Sequence, residues 1–238
     1  MNQFQNYNDN APGDIQYVVG NPVSQVMKRV YLKMFLGMLV TAFVSMWGAS
    51  SDAYLSFMFS NSWAMWLLLG VEIVLVIAIS GAIKKLSSAA ATALFYLFAV
   101  VNGLSLAPIF LIYTGASIVK TFFVTAGTFG AMSIYGFFTT KDLSKMGSIL
   151  FMALIGLIIC VVVNMIWPSD TFGWIISVAG VLIFVGLTAW DTQQIKNMAL
   201  MAPGDSVGRL ATIGALTLYL DFINLFLYLL RFFGSSRD

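Results

Sequence analysis

Two aspartates carry the chemistry that least suits its surroundings. Asp191 lies in Gly186-Leu-Thr-Ala-Trp-Asp-Thr-Gln-Gln-Ile195, and Asp221 in Leu216-Thr-Leu-Tyr-Leu-Asp-Phe-Ile-Asn-Leu225. Both stretches are apolar enough to enter a bilayer, where an ionisable group is costly unless it is compensated or belongs to a pathway. If the two carboxyl groups meet, they can share a proton and titrate as a pair in two macroscopic steps. Once deprotonated, their oxygens suit a hard cation such as calcium. Asp191 and Asp221 are therefore the candidate pH sensor and the candidate metal ligands, with acid and calcium competing for one site. The bland alternative is that each carboxyl bonds separately to nearby backbone groups.

The sequence contains no histidine. That removes His-ligated metal, His acid–base chemistry and His-based pH sensing. A response near neutral pH must then come from carboxyl groups in unusual surroundings. Glu72, in Leu69-Gly-Val-Glu-Ile-Val74, is a third acid at membrane depth. It reads either as a neutral side chain hydrogen-bonded to Asn102 or Ser105, or as an intramembrane proton or cation site together with Asn102. The other acids fall in tails and loops and read as solvated. Cys160, the single cysteine, lies in an apolar run and reads as a small buried hydrophobe.

Composition sets the class. Of the 238 residues 60% are hydrophobic and only 9% are charged, far from the roughly 25% charged residues of a soluble domain. The net charge of +2 and the dispersed basic residues give no footprint for nucleic acid. Residues 1–25 are polar and read as a disordered cytoplasmic tail, leaving 26–238 as one membrane domain. Apolar segments follow at about 30–50, 63–83, 89–113, 115–138, 147–167, 171–194 and 209–233. Each is close to the ~20 residues that an α-helix needs to cross the bilayer, and helices satisfy their own backbone groups in lipid. The fold class is all-α, with seven transmembrane helices.

The sixth and seventh segments flank a short polar connection, Pro203-Gly-Asp-Ser-Val-Gly208, midway between the two aspartates. As an antiparallel hairpin they bring the acids to similar depth. The match is approximate, with Asp191 about 9 Å above Lys196-Asn197 and Asp221 about 18 Å above Arg209 at 1.5 Å per residue. In the fourth segment, small residues at 126/130 and 127/131 predict close helix packing. Lys120 reads as an anchor whose stem snorkels outward, and Trp63, Trp66, Trp167 and Trp174 fall at the outer interface.

Orientation follows from the basic residues. With the N-terminus inside, the inner flanks hold Lys28, Arg29, Lys33, Lys84, Lys85, Lys141, Lys145, Lys196 and Arg209, nine against the three of Lys120, Arg231 and Arg237 outside. Nine against three predicts a cytoplasmic N-terminus and an external C-terminus.

Four runs occur together and in order: Asn102-Gly-Leu-Ser-Leu-Ala-Pro-Ile109, Tyr135-Gly-Phe-Phe-Thr-Thr-Lys-Asp-Leu-Ser-Lys-Met-Gly147, Trp190-Asp-Thr-Gln193 and Leu220-Asp-Phe-Ile-Asn-Leu-Phe226. With them the chain resembles a bacterial member of the transmembrane Bax inhibitor motif family over about residues 26–234. The resemblance implies seven helices with the last one central and surrounded by the other six. It also implies a pH-sensitive calcium leak governed by two aspartates, which map onto Asp191 and Asp221. A basic latch on the helix-six aspartate is implied as well, with Lys84 and Lys85 as candidates; a Lys in place of an Arg loses bidentate geometry. Trp190 stands where the family often has Tyr.

On this reading the protein is not an enzyme and has no catalytic residue. It uses no cofactor apart from calcium as a permeant or bound ion. It sits in the bacterial cytoplasmic membrane, with the bilayer, protons, calcium and a membrane protein as partners. Two other functions compete: an interaction protein that modulates a membrane protease or a stress or death pathway, and a proton- or cation-coupled transporter. An intramembrane aspartyl protease fits poorly, because Leu218-Tyr-Leu precedes Asp221 where such enzymes place Gly-x-Gly. A retinal protein fails because the last segment has no lysine.

Overall fold

The computed structural model describes residues 12–83, 85–201 and 206–235, with side chains described from Val23 onward. The helices are α1 (Pro12–Ser50), α2 (Asp52–Ser60), α3 (Ala64–Ala82), α4 (Ser88–Leu106), α5 (Ile109–Ile112), α6 (Gly115–Phe138), α7 (Ser144–Ile166), α8 (Asp170–Met201) and α9 (Val207–Phe233). Seven stretches are long and apolar enough to cross a membrane. Helical backbone reaches back to Pro12, into the stretch read as a tail, while residues 1–11 and Lys84 lie outside the described residues. Pro at the first helical position loses no hydrogen bond there.

Local chemistry sets the boundaries. Ser51, Ser87 and Thr114 each accept a hydrogen bond from the backbone N–H three residues on, capping α2, α4 and α6. The third apolar segment is not one helix. Pro108 has no N–H to donate and its ring disfavours continued α-helix, so α4 stops at Leu106 and α5 restarts at Ile109. The step is bridged by short-range bonds from Ala107 N–H to Leu104 C=O (3.2 Å) and from Phe110 N–H to Ala107 C=O (3.2 Å). The small helix α2 caps the end of α1, and its Tyr54 hydroxyl donates to Leu104 C=O at 2.8 Å.

Burial ranks the spans. In α9, 56% of the apolar window is buried, against 6% in α7. α9 is the central helix, packed directly against α1, α4, α6 and α8, while α3 backs onto α4 and α7 onto α8. Its enclosed side chains include Leu218, Tyr219, Leu225 and Leu230. The outward faces of α3 and α7 stay apolar, as at Val74, Ile77, Ile158 and Ile159, because lipid replaces water there.

Glycines create the close approaches, though not where the small-residue spacing predicted. A Cβ on Gly127 or Gly130 would meet nothing within 4 Å, so the 126/130 and 127/131 pairs do not form a helix interface within this chain. The spacing marks where backbones can come together and says nothing about which face of α6 does so. The tight contacts are elsewhere: a Cβ on Gly37 would strike the Phe95 ring, one on Gly180 the Tyr228 ring, and one on Gly136 the backbone of Ala189.

Candidate functional site

Asp191 and Asp221 project into the interface between α8 and α9, where their carboxyl groups are side-chain hydrogen-bonding partners of each other. Asp221 is 4% exposed, and its Oδ2 has no hydrogen-bond partner; Asp191 is half-buried. A hydrogen bond between two carboxyl groups needs a proton on one of them. Among the described residues, neither carboxyl is paired with a basic side chain. Lys85 is exposed after the end of α3 and makes no ion pair with either aspartate. Lys84, the other latch candidate, lies outside the described residues.

The segment bearing Asp191 is clamped from both flanks. On one side Gly136 of α6 presses against the backbone of Ala189, and on the other Gly147 of α7 receives the Trp190 ring. Gln193 then holds the α6–α7 connection, accepting from Leu143 N–H at 2.9 Å and donating to Lys141 C=O at 2.8 Å. Lys196 donates to Phe137 C=O at 2.6 Å and lies over the Phe137 ring. These contacts explain why polar residues can continue α8 down to Met201: their hydrogen-bonding groups are met by protein. Trp190 Nε1 is buried without a partner.

α9 is held on its other sides by a second polar layer. Tyr219, fully enclosed, donates its hydroxyl hydrogen to Asn102 Oδ1 at 2.8 Å and meets Thr41 Oγ1 at 2.6 Å. Thr41 in turn donates to Ala99 C=O at 2.9 Å, so α1, α4 and α9 are joined at one level. Glu72 faces Ser105 and Asn102, the neighbours expected for it, across a cavity of about 450 Å³ that Asn224 also lines. Glu72 Oε1 and Ser105 Oγ nevertheless lack hydrogen-bond partners. Asn102 thus stands between Glu72 and Tyr219.

Two features escaped the sequence. One is the Tyr219–Thr41–Asn102 junction, since neither Tyr219 nor Thr41 differs from ordinary core residues by type or spacing. The other is Lys33, whose Nζ donates to Thr212 Oγ1 (2.6 Å), Thr92 Oγ1 (2.7 Å) and Gly208 C=O (3.4 Å). It reads in the sequence as a flanking charge but ties α1, α4 and the start of α9 together. Lys120 is exposed and Trp63, Trp66, Trp167 and Trp174 are between 53% and 71% exposed, in keeping with positions facing lipid. Among the described residues no group of three or more His, Cys, Asp or Glu side chains could hold a metal ion.

Comparison with known proteins places this arrangement. A family model described as "Inhibitor of apoptosis-promoting Bax1" matches residues 23–238. The chain is 48% identical over 214 residues to "Inner membrane protein YbhL" of Escherichia coli strain K12, covering 89% of this chain and 92% of that one. It is 46% identical over 217 residues to an uncharacterized protein of Borreliella burgdorferi (90% and 94%). An uncharacterized protein of Rickettsia prowazekii is 42% identical over 216 residues (89% and 90%). With seven apolar spans, α9 the most buried of them, and a family match that runs from Val23 to the last residue, the chain belongs to the Bax inhibitor family.

Proposed function

We propose that the protein is a pH-sensitive calcium-leak channel of a bacterial cytoplasmic membrane, gated by the proton shared between Asp191 and Asp221. The observation that carries this reading is the carboxyl–carboxyl contact inside the α8–α9 interface. Two like charges in contact are unfavourable in a poorly solvated site, so the pair loses its protons in separate steps. Removing the shared proton leaves repelling carboxylates, which favours separation of α8 from α9. It also creates oxygen ligands for a hard cation. Calcium takes six to eight oxygens, and two aspartates supply only part of that set. Such a site suits brief occupancy during passage better than tight storage.

Protons and calcium then compete, so acidification raises the calcium concentration needed for half-maximal flux. The name of the Escherichia coli relative supports an inner-membrane location, and the basic residues favour a cytoplasmic N-terminus.

The test is calcium-indicator flux in proteoliposomes across a pH series, using wild type, Asp191→Asn and Asp221→Asn. Wild type should conduct calcium with a pH-dependent rate, and both variants should lose most of that dependence. Well-folded protein that passes no calcium, or variants with an unaltered pH profile, would overturn the reading.

A further inference from the structure

α1 and α6 stand apart along a furrow of about 770 Å³ that opens to the membrane, with Phe222 of α9 at its floor. Its lining is graded. Ser24, Lys28 and Tyr31 bring polar groups to one end, and Met34 and Met38 continue it as an apolar channel along α1. The opposite wall is kept low by Ala126 and Gly130, and a Cβ on Gly130 would meet nothing within 4 Å.

We infer that this furrow binds one anionic phospholipid, its phosphate at Lys28 and one acyl chain lying against Gly130 and Phe222. Two properties favour this occupant. Ser24 to Met38 is 14 residues, about 21 Å of helix axis, close to half of a bilayer that is about 40–45 Å thick with its headgroups. Along α1 the polar-to-apolar gradient runs in the direction a lipid has, charged at the interface and hydrocarbon toward the midplane, while Phe137 and Phe138 of α6 line the same furrow.

The lipid would fill the gap left where α6 turns its small residues away from other helices. It would also brace Phe222, next in sequence to Asp221. Neither role depends on calcium transport.

The experiment uses full-length protein in phosphatidylcholine vesicles doped with either phosphatidylglycerol or phosphatidylcholine carrying a photoreactive group on one acyl chain. After irradiation, lipid adducts are mapped by peptide mass spectrometry. Adducts should concentrate on residues 34–38 and 130–134, with phosphatidylglycerol preferred. Lys28→Ala should cut that preference about fivefold, the factor that one basic residue carries at an anionic surface. Gly130→Phe should abolish furrow labelling, while Gly127→Phe, also in open space on α6 but outside the furrow, should leave it intact. Adducts spread evenly over the lipid face of α7 would overturn the inference. So would equal labelling by the two probes, unchanged labelling in Gly130→Phe, or crosslinks joining two copies across α1 and α6.

Discussion

At the scale of single residues, the molecule separates its buried polar groups into two layers with different physics. The Asp191–Asp221 contact brings two ionisable carboxyl groups together, whereas the Tyr219–Thr41–Asn102 junction is a set of neutral hydrogen bonds linking three helices. Removing one member of such a junction leaves the others buried and unpaired, which costs about 1–3 kcal/mol. Tyr219→Phe should therefore lower the thermal midpoint in detergent clearly, because Asn102 Oδ1 loses its donor. Adding Asn102→Leu should cost much less than the sum of the two single changes. Additive losses would show that the junction is not a coupled unit. Asp142 lies in the α6–α7 connection, outside the spans. The side chain of Ser144 and then its backbone N–H hydrogen-bond the Asp142 carboxylate and hold its pKa below the ordinary carboxylate range. The stabilisation from a depressed carboxylate is complete above its unfolded value of about 3.9 and is lost only as pH falls through the folded one.

At the scale of elements, the contrast between glycines on α6 makes a sharper statement than their spacing. Gly136 abuts the backbone of Ala189, two residues before Asp191, while Gly127 faces open space on the same helix. A methyl group at 136 has no flexible side chain to push aside, so Gly136→Ala must move α6 off α8. That should cost about 1–3 kcal/mol as an overpacking defect. Gly127→Ala should be neutral or stabilise by up to about 1 kcal/mol, since Ala is the better helix former. Unfolding midpoints of the pair of variants in detergent check this, and equal destabilisation by both would contradict the packing described. The element boundaries also show what a sequence can carry. The aspartate hairpin was legible, because a short polar connection forces its two flanking spans to run antiparallel and sets their acids at similar depth. The length of α8 was not. Gln193, Lys196 and Asn197 look like the end of a span, yet Gln193 and Lys196 bond to the backbone of the α6–α7 region, and the helix continues to Met201. That extension brings the depths of the two acids closer. Asp191 is ten residues, about 15 Å, from the end of α8, and Asp221 is fourteen residues, about 21 Å, from the start of α9. The offset shrinks from about 9 Å to about 6 Å. Likewise the break at Pro108 is written in a single residue, whereas the separate helix α2, although its polar Asp52, Ser56 and Ser60 recur every fourth position, is nine residues long and too short to register as a span.

At the scale of the whole molecule, what holds the chain in one orientation also determines which end of the α8–α9 hairpin meets the cytoplasm. The spans alternate in direction, so the α3–α4, α6–α7 and α8–α9 connections share the side on which α1 begins. That side gathers most of the basic residues. Not all of them count equally. Lys33 and Lys196 are tied to protein acceptors and were ordered by folding, whereas the positive-inside bias acts on exposed charges near the ends of spans. Leaving those two out, the inner side keeps Lys28, Arg29, Lys84, Lys85, Lys141, Lys145 and Arg209, seven against three. The bias survives the correction, and the four exposed interfacial tryptophans sit at the opposite ends of their helices, with Trp174 against Phe232 near the end of α9. A reporter active only outside the membrane should therefore be silent when fused before α1 and active when fused after Asp238. Moving the bias should move the result. Replacing Lys84, Lys85, Lys141 and Lys145 by Gln leaves three inner charges against three outer ones, and a mixed population is expected from balanced flanks. An externally active N-terminal fusion in the wild type would invert the molecule, placing the narrow end of the aspartate hairpin toward the outside and reversing which compartment's acidity the pair would sense.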